Sequence, residues 1–254
     1  MPVAAIHLAA RKIDVAAIQR ELDAGVSPDL IDTGWTSSAP LRTAINYGSA
    51  IFPAESIHRR LACIEVLLDA GASLDTLSGP GDGETALHAA VSLTDRSNYP
   101  ANFELIVDRL MLAGADVNAL DGSGTSVLAR AALKATSTTV AKLLSAGAVD
   151  PGGFDKPVRC ARFRPRICAI LMRAGGVLKL DPDPYGRLLE PPYGNMWLEQ
   201  SPYLRKIVEY PGGFKAYELA HRRRITAIFL PKLPSLPAEI VSHIVSFGFN
   251  CGCY

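Results

Sequence analysis

The stretch Gly83-Glu84-Thr85-Ala86-Leu87-His88-Ala89-Ala90 sets one of the chain's five histidines between a glycine-rich turn, Gly79-Pro80-Gly81-Asp82-Gly83, and an apolar helical run. An imidazole at such a place serves either chemistry or shape, and the choice decides whether the chain reads as an enzyme. The answer comes from its surroundings, which recur.

The dipeptide Ala-Gly stands at 24–25, 70–71, 113–114, 146–147 and 174–175, each time at the end of an apolar-periodic stretch. Seven residues before each Gly stands Ile18, Ile64, Val107, Val140 or Cys168, and three before it Leu22, Leu68, Met111, Leu144 or Met172. This spacing predicts one apolar stripe on a helix, ended by a Gly that accepts left-handed backbone. Upstream of each lies a shorter apolar run, beginning at Ala4, Ala39, Thr85, Ser126 and Lys156. Thr85 and Ser126 suit the helix-cap position, and Pro40 and Pro157 suit the first turn. An alanine at the sixth position of each run lets neighbouring helices approach closely.

These residues resemble the ankyrin repeat, whose signature reads Thr-Pro-Leu-His-x-Ala-Ala followed by a second helix ending Leu-Leu-x-x-Gly-Ala-Asp-Val-Asn-Ala. The match is closest at Thr85–Ala90 and at 113–119, and extends over about residues 4–175. The resemblance implies an all-α solenoid of about five helix pairs over 1–176. A Pro-rich connector is expected at 177–202 and a helical C-terminal cap at 203–254. In the family the signature Gly follows the signature Thr by 21 positions; here the second and third copies have 32 and 29, which predicts insertions of 11 and 8 residues between their helices. The resemblance also makes His88 a structural brace, bonded to the Thr85 hydroxyl and nearby backbone.

Catalysis has little to work with. There is no His-Glu-x-x-His and no paired Cys-x-x-Cys, and no Lys-Ser/Thr follows the glycine-rich turn as a phosphate loop requires. The expectation is a non-enzymatic chain with no cofactor and no metal. Cys251-Gly252-Cys253 has no further ligands nearby, and the odd set of five cysteines reads as reduced thiols of a cytoplasmic or nuclear protein. No segment has the length of apolar sequence that a membrane span needs, and the N-terminus lacks a signal-peptide pattern.

Charge divides unevenly. Residues 1–150 hold 11 Lys+Arg against 17 Asp+Glu, whereas 151–254 hold 15 against 8. The run Arg159, Arg162, Arg164, Arg166 with His221-Arg222-Arg223-Arg224 has the composition of a phosphate-binding surface, but a solvated face or a dock for an acidic protein accounts for it more simply.

Carried over from the resemblance, signature positions five, eight and nine face the concave side. They are Leu8, Arg11, Lys12; Thr43, Asn46, Tyr47; Ala89, Ser92, Leu93; Arg130, Leu133, Lys134; and Cys160, Phe163, Arg164. The expected function is a protein–protein interaction scaffold, a monomer that holds an acidic patch of another protein through Tyr47, Arg130, Lys134 and Arg164, with Trp35 and Asp82 at turn tips. A second resemblance covers about 15 residues: Leu236-Pro237-Ala238-Glu239-Ile240 and the helix after it are similar to the first helix of an F-box. That implies a substrate receptor of a cullin-type ubiquitin ligase docking through Leu236, Pro237, Ile240, Val241 and Ile244. The same tail also looks like the C-terminal cap of protist ankyrin proteins, which would bury Ile240, Val241 and Ile244.

Overall fold

In a computed structural model the described residues are 4–32, 37–46, 56–78, 83–94, 100–154, 156–157, 161, 164–176 and 202–250. The chain divides into two compact units, Met1–Cys160 and Ala161–Tyr254. Among the described residues there are helices and turns but no strand, and two isolated antiparallel bridges, Ser78 with Glu84 and Leu120 with Ser126, mark hairpin-like turns.

The first unit contains four helix pairs: α1 (Ala5–Lys12) with α2 (Val15–Asp23), α3 (Pro40–Asn46) with α4 (Ser56–Asp69), α5 (Ala86–Leu93) with α6 (Pro100–Leu112), and α7 (Val127–Lys134) with α8 (Ser137–Ser145). The inner helices pack in sequence, α1 on α3, α3 on α5 and α5 on α7. Ala9, Ala44, Ala90 and Ala131, the sixth-position alanines, are all buried there, where any larger side chain would hold the helices apart. The five repeated glycines have φ between 83° and 115°. At Gly71 the helix end is closed by Gly71 N–H donating to Leu68 O at 2.9 Å and Ala72 N–H to Leu67 O at 2.9 Å, the paired bonds of a left-handed helix stop.

Two expectations about the outer helices need correction. Ile18, Ile64, Val107, Val140 and Cys168 are fully buried, but the residue three before the Gly is only half-buried at Leu22, Leu68, Met111 and Leu144. The deep position is four before the Gly, at Leu67, Leu110, Leu143 and Leu171. A helix turns about 100° per residue, so the one-residue offset moves the side chain from the flank of the stripe to its centre. The insertions, moreover, do not lie wholly between helices. Helices α4 and α6 have 14 and 13 residues against nine in α2 and α8, so part of each insertion is wound into the outer helix.

In the second unit, α9 (Pro165–Arg173) is followed by α10 (Pro202–Glu209), α11 (Gly213–Phe229), a single 3-10 turn Leu230–Lys232, and α12 (Ala238–Asn250). Helix α11 is the hub, packing against α9, α10 and α12. Glu218 fixes α9 to it by accepting from Arg173 Nε at 3.0 Å and from Arg222 Nη2 at 2.9 Å. Of the first helix of the fifth pair only residues 156–157 and 161 are described, and nearly all of the 177–202 connector lies outside the described residues; Pro202 itself opens α10.

Candidate functional site

His88 is fully buried and uses both ring nitrogens. Nε2 lies 3.0 Å from Thr125 O, which only accepts, so Nε2 carries the proton. Nδ1 is then the acceptor for the Thr85 hydroxyl at 2.8 Å, and the Thr85 oxygen in turn accepts the His88 N–H at 3.4 Å. Burial lowers the imidazole pKa and outweighs the Thr125 bond and the carboxylates of Asp121 and Glu84. The ring is a neutral strut between the third and fourth pairs, with no lone pair left for a substrate.

The first pair holds an incomplete copy. His7 is buried with Nε2 at 2.8 Å from Leu30 O, but Ala4 stands where Thr85 stands, and His7 Nδ1 has no hydrogen-bond partner among the described residues. The fourth pair replaces the imidazole altogether: Ser126 caps α7 through Ala129 N–H at 3.1 Å and gives its own proton to the Asp150 carboxylate in the next turn.

A second set of bonds repeats at the turns. Four residues after the repeated Gly, Asp29, Asp75 and Asn118 each accept, through Oδ1, the N–H two residues after the next Gly: Ser73 at 2.8 Å, Asp116 at 3.2 Å and Val149 at 2.8 Å. These rungs lock successive turns in one register. Pro151, four residues after Gly147, offers no side-chain acceptor, so the series closes at the fourth turn.

A chain of charges runs along the inner helices. Arg42 Nη2 donates to Glu84 Oε2 at 3.2 Å, Arg130 Nη2 donates to Glu84 Oε1 at 3.0 Å and to Asp121 Oδ2 at 2.5 Å, and Asp121 Oδ1 accepts from Ser123 N and Thr125 N. Burial works to raise the Asp121 pKa, but these bonds from Ser123, Thr125 and Arg130 prevail and hold it at about 2.

Of the expected anchors, Trp35, Tyr47 and Asp82 lie outside the described residues. Arg130 is only 19% exposed and spends its guanidinium on Glu84 and Asp121, so it builds the scaffold that it was expected to decorate. Lys134 and Arg164 are half-buried, in the first and second unit respectively. Position five does not face outward in the middle copies: Thr43 and Ala89 are buried because the inner helices close over small side chains there. Among the described residues, Leu8 and Leu133 are the exposed large apolar side chains of the expected row. At the other end of the chain Leu236, Ile240 and Ile244 are exposed while Val241 is buried, so α12 faces inward on the 241/245 stripe and not on the 240/244 stripe.

Among the described residues no three His, Cys, Asp or Glu side chains gather to hold a metal ion, and no helix is long and apolar enough to cross a membrane. The buried thiols Cys63 and Cys168 are pushed by burial to about 11 and about 12.

These features define a stack of hydrogen-bonded helix pairs with a structural, neutral histidine. Residues 82–122, which contain the third pair and the turn after it, match the family model of the ankyrin repeat. Comparison with curated proteins gives no match. Ankyrin repeats are general protein–protein interaction modules and typically not enzymes.

Proposed function

We propose that the chain is a non-enzymatic protein-binding scaffold of about five ankyrin-type helix pairs, which grips a partner on the inner-helix side. One observation carries this reading. Helix α1 buries Ile6, His7, Ala9 and Ala10 yet leaves Leu8 open, and α7 buries Val127, Leu128, Ala129, Ala131 and Ala132 yet leaves Leu133 open. Each open leucine has cations beside it in sequence, Arg11 with Lys12 and Lys134, so an apolar contact with an acidic rim is the partner chemistry that fits. Arg164 belongs to the second unit and is proposed as a cationic contact there, separately from the surface of Leu8 and Leu133.

The test is affinity capture with the whole chain, followed by measurement of each captured partner against the Leu133→Ser/Lys134→Glu variant. A partner of this surface loses at least tenfold in affinity and binds more weakly as salt rises. A set of partners indifferent to the variant removes the inner-helix surface from the proposal.

A second reading, a ligase substrate receptor, is favoured by the exposure of Leu236, Ile240 and Ile244 along one edge of α12. Binding of a purified cullin adaptor, lost on Ile240→Ser/Ile244→Ser, supports it, and no binding at micromolar concentration rejects it.

A further inference from the structure

After each of the first three outer helices the turn ends on an exposed apolar residue followed by a buried polar one. Seven residues past the repeated Gly, Asp32, Ser78 and Asp121 are buried; one residue earlier Ile31, Leu77 and Leu120 are 38%, 46% and 41% exposed. The rungs from Asp29 to Ser73 and from Asp75 to Asp116 hold adjacent turns in register, so these three side chains form one apolar row along the edge of the first unit.

Negative charge predominates around the row, and the arginines that reach the residues next to it, Arg11 on Asp32 and Arg130 on Asp121, are spent in ion pairs. From two residues before each Gly to six after it, in the first three copies, there are five aspartates, Asp23, Asp29, Asp69, Asp75 and Asp116, and no Lys or Arg. None of the five is in an ion pair among the described residues. Asp23 and Asp69 are the last residues of α2 and α4, where the helix dipole favours a cation. At these two positions the fold keeps negative charge where the helix end argues against it, whereas Asp29, Asp75 and Asp116 also accept backbone N–H groups of the turns.

Spacing selects the shape of the occupant. Packed helices repeat at about 8–10 Å, and a polyproline II segment returns to the same face every third residue after about 9 Å. A β-strand returns to the same face every second residue, after about 6.6 Å, and misses the row. We propose that Ile31, Leu77 and Leu120 dock a polyproline-II-like segment of another protein, with an apolar residue at every third position and Lys or Arg between. The inference rests on the reading of the first unit as an interaction module and names partner chemistry for its turn edge.

The probe is a fluorescein-labelled peptide of four Leu-Pro-Lys triplets, titrated with the full chain and followed by anisotropy. Three controls accompany it: Leu-Pro-Glu triplets, a peptide of the same composition with the leucines off the three-residue period, and the Ile31→Ser/Leu77→Ser/Leu120→Ser variant. The variant changes only exposed side chains, and its thermal melt checks that it folds. Binding of the Leu-Pro-Lys peptide, weakened tenfold or more in each control and by a rise in salt from 50 to 300 mM (on the order of the screening change for exposed charges), supports the proposal. Absence of binding, equal binding of the off-period or acidic peptide, or binding indifferent to the variant overturns it. So does self-association of the chain that disappears in the variant, since a second copy would then be what covers the row. A captured partner that depends on Leu133 and Lys134 but not on the row leaves the scaffold reading standing and removes only this inference.

Discussion

Asp29 Oδ1 accepts the backbone N–H of Ser73 at 2.8 Å across 44 residues of sequence, and the same bond recurs from Asp75 to Asp116 and from Asn118 to Val149. A repeat in such an array has no core of its own and is stabilised through its neighbours, so a bond that spans two repeats bears on the coupling between them.

Replacing Asp75 by Ala is expected to cost about 1 kcal/mol, the usual worth of one hydrogen bond, while Asp75→Asn keeps the acceptor and stays near wild type. Urea unfolding measures the difference as a shifted midpoint at constant slope. Amide exchange locates it: the Asp116 N–H exchanges faster in the Ala variant and the Val149 N–H does not.

Ala4→Thr is expected to stabilise the chain by about 1 kcal/mol. Ala4 caps α1 at φ −59°, ψ 145°, close to the −72°, 166° of Thr85, so a threonine there can cap the helix and offer its hydroxyl to the unpaired His7 Nδ1. The control is the same substitution in a His7→Ala background, where the gain through the imidazole is absent and only the cap remains. Equal gains in both backgrounds would refute the pairing.

Stability should fall in mild acid. Burial sets the pKa values of His7 and His88 below the ordinary 6.5. The unfolded chain thus binds protons that the folded one refuses; stability is full above about pH 6.5 and declines as pH drops toward the folded values, by up to about 1.4 kcal/mol per pH unit for each histidine. Melting temperature between pH 7.5 and 5.5 measures the slope, and the His88→Gln variant, less stable at pH 7.5, should show a shallower one.

Arg130→Ala is expected to cost about 2 kcal/mol, because it strips charged hydrogen bonds from Asp121 and Glu84. Asp121 also gives the loss a signature in strong acid. Its folded pKa of about 2 lies below the ordinary 3.8, so its contribution is complete above about pH 4 and disappears as pH falls toward 2. In the Arg130→Ala variant this acid-sensitive part shrinks, which chemical unfolding at pH 5 and pH 3 resolves.

Punctuation carried most of what the sequence revealed. The Ala-Gly pairs and the capping residues Thr85 and Ser126 act through their own backbone and a few neighbours, so a linear reading finds them. The part played by His88 comes from the resemblance to the ankyrin signature, in which Thr85 stands three residues before it. The Thr125 carbonyl that completes its bonding is 37 residues distant, and no local spacing points to it. Arg130 was misleading for the same reason. Its nearer carboxylate, Asp121, looks like an ordinary turn residue, and Glu84 lies in the previous copy. The rungs at Asp29 and Asp75 hide behind the same turn chemistry, although their fixed place four residues after each Gly is a signal once the copies are aligned. The buried position four before the Gly was missed by one residue because both neighbouring positions are apolar in most copies.

In each rung the acceptor belongs to the earlier copy and the donor to the later one. Synthesis on the ribosome proceeds in that same order. When the turn at Ser73 emerges, the carboxylate of Asp29 is already exposed behind it, and when Asp116 follows, Asp75 is waiting. Each completed turn is thus a template for the next, and the array can be assembled as it is made, one copy at a time, without holding a newly exposed turn open until the rest of the chain arrives.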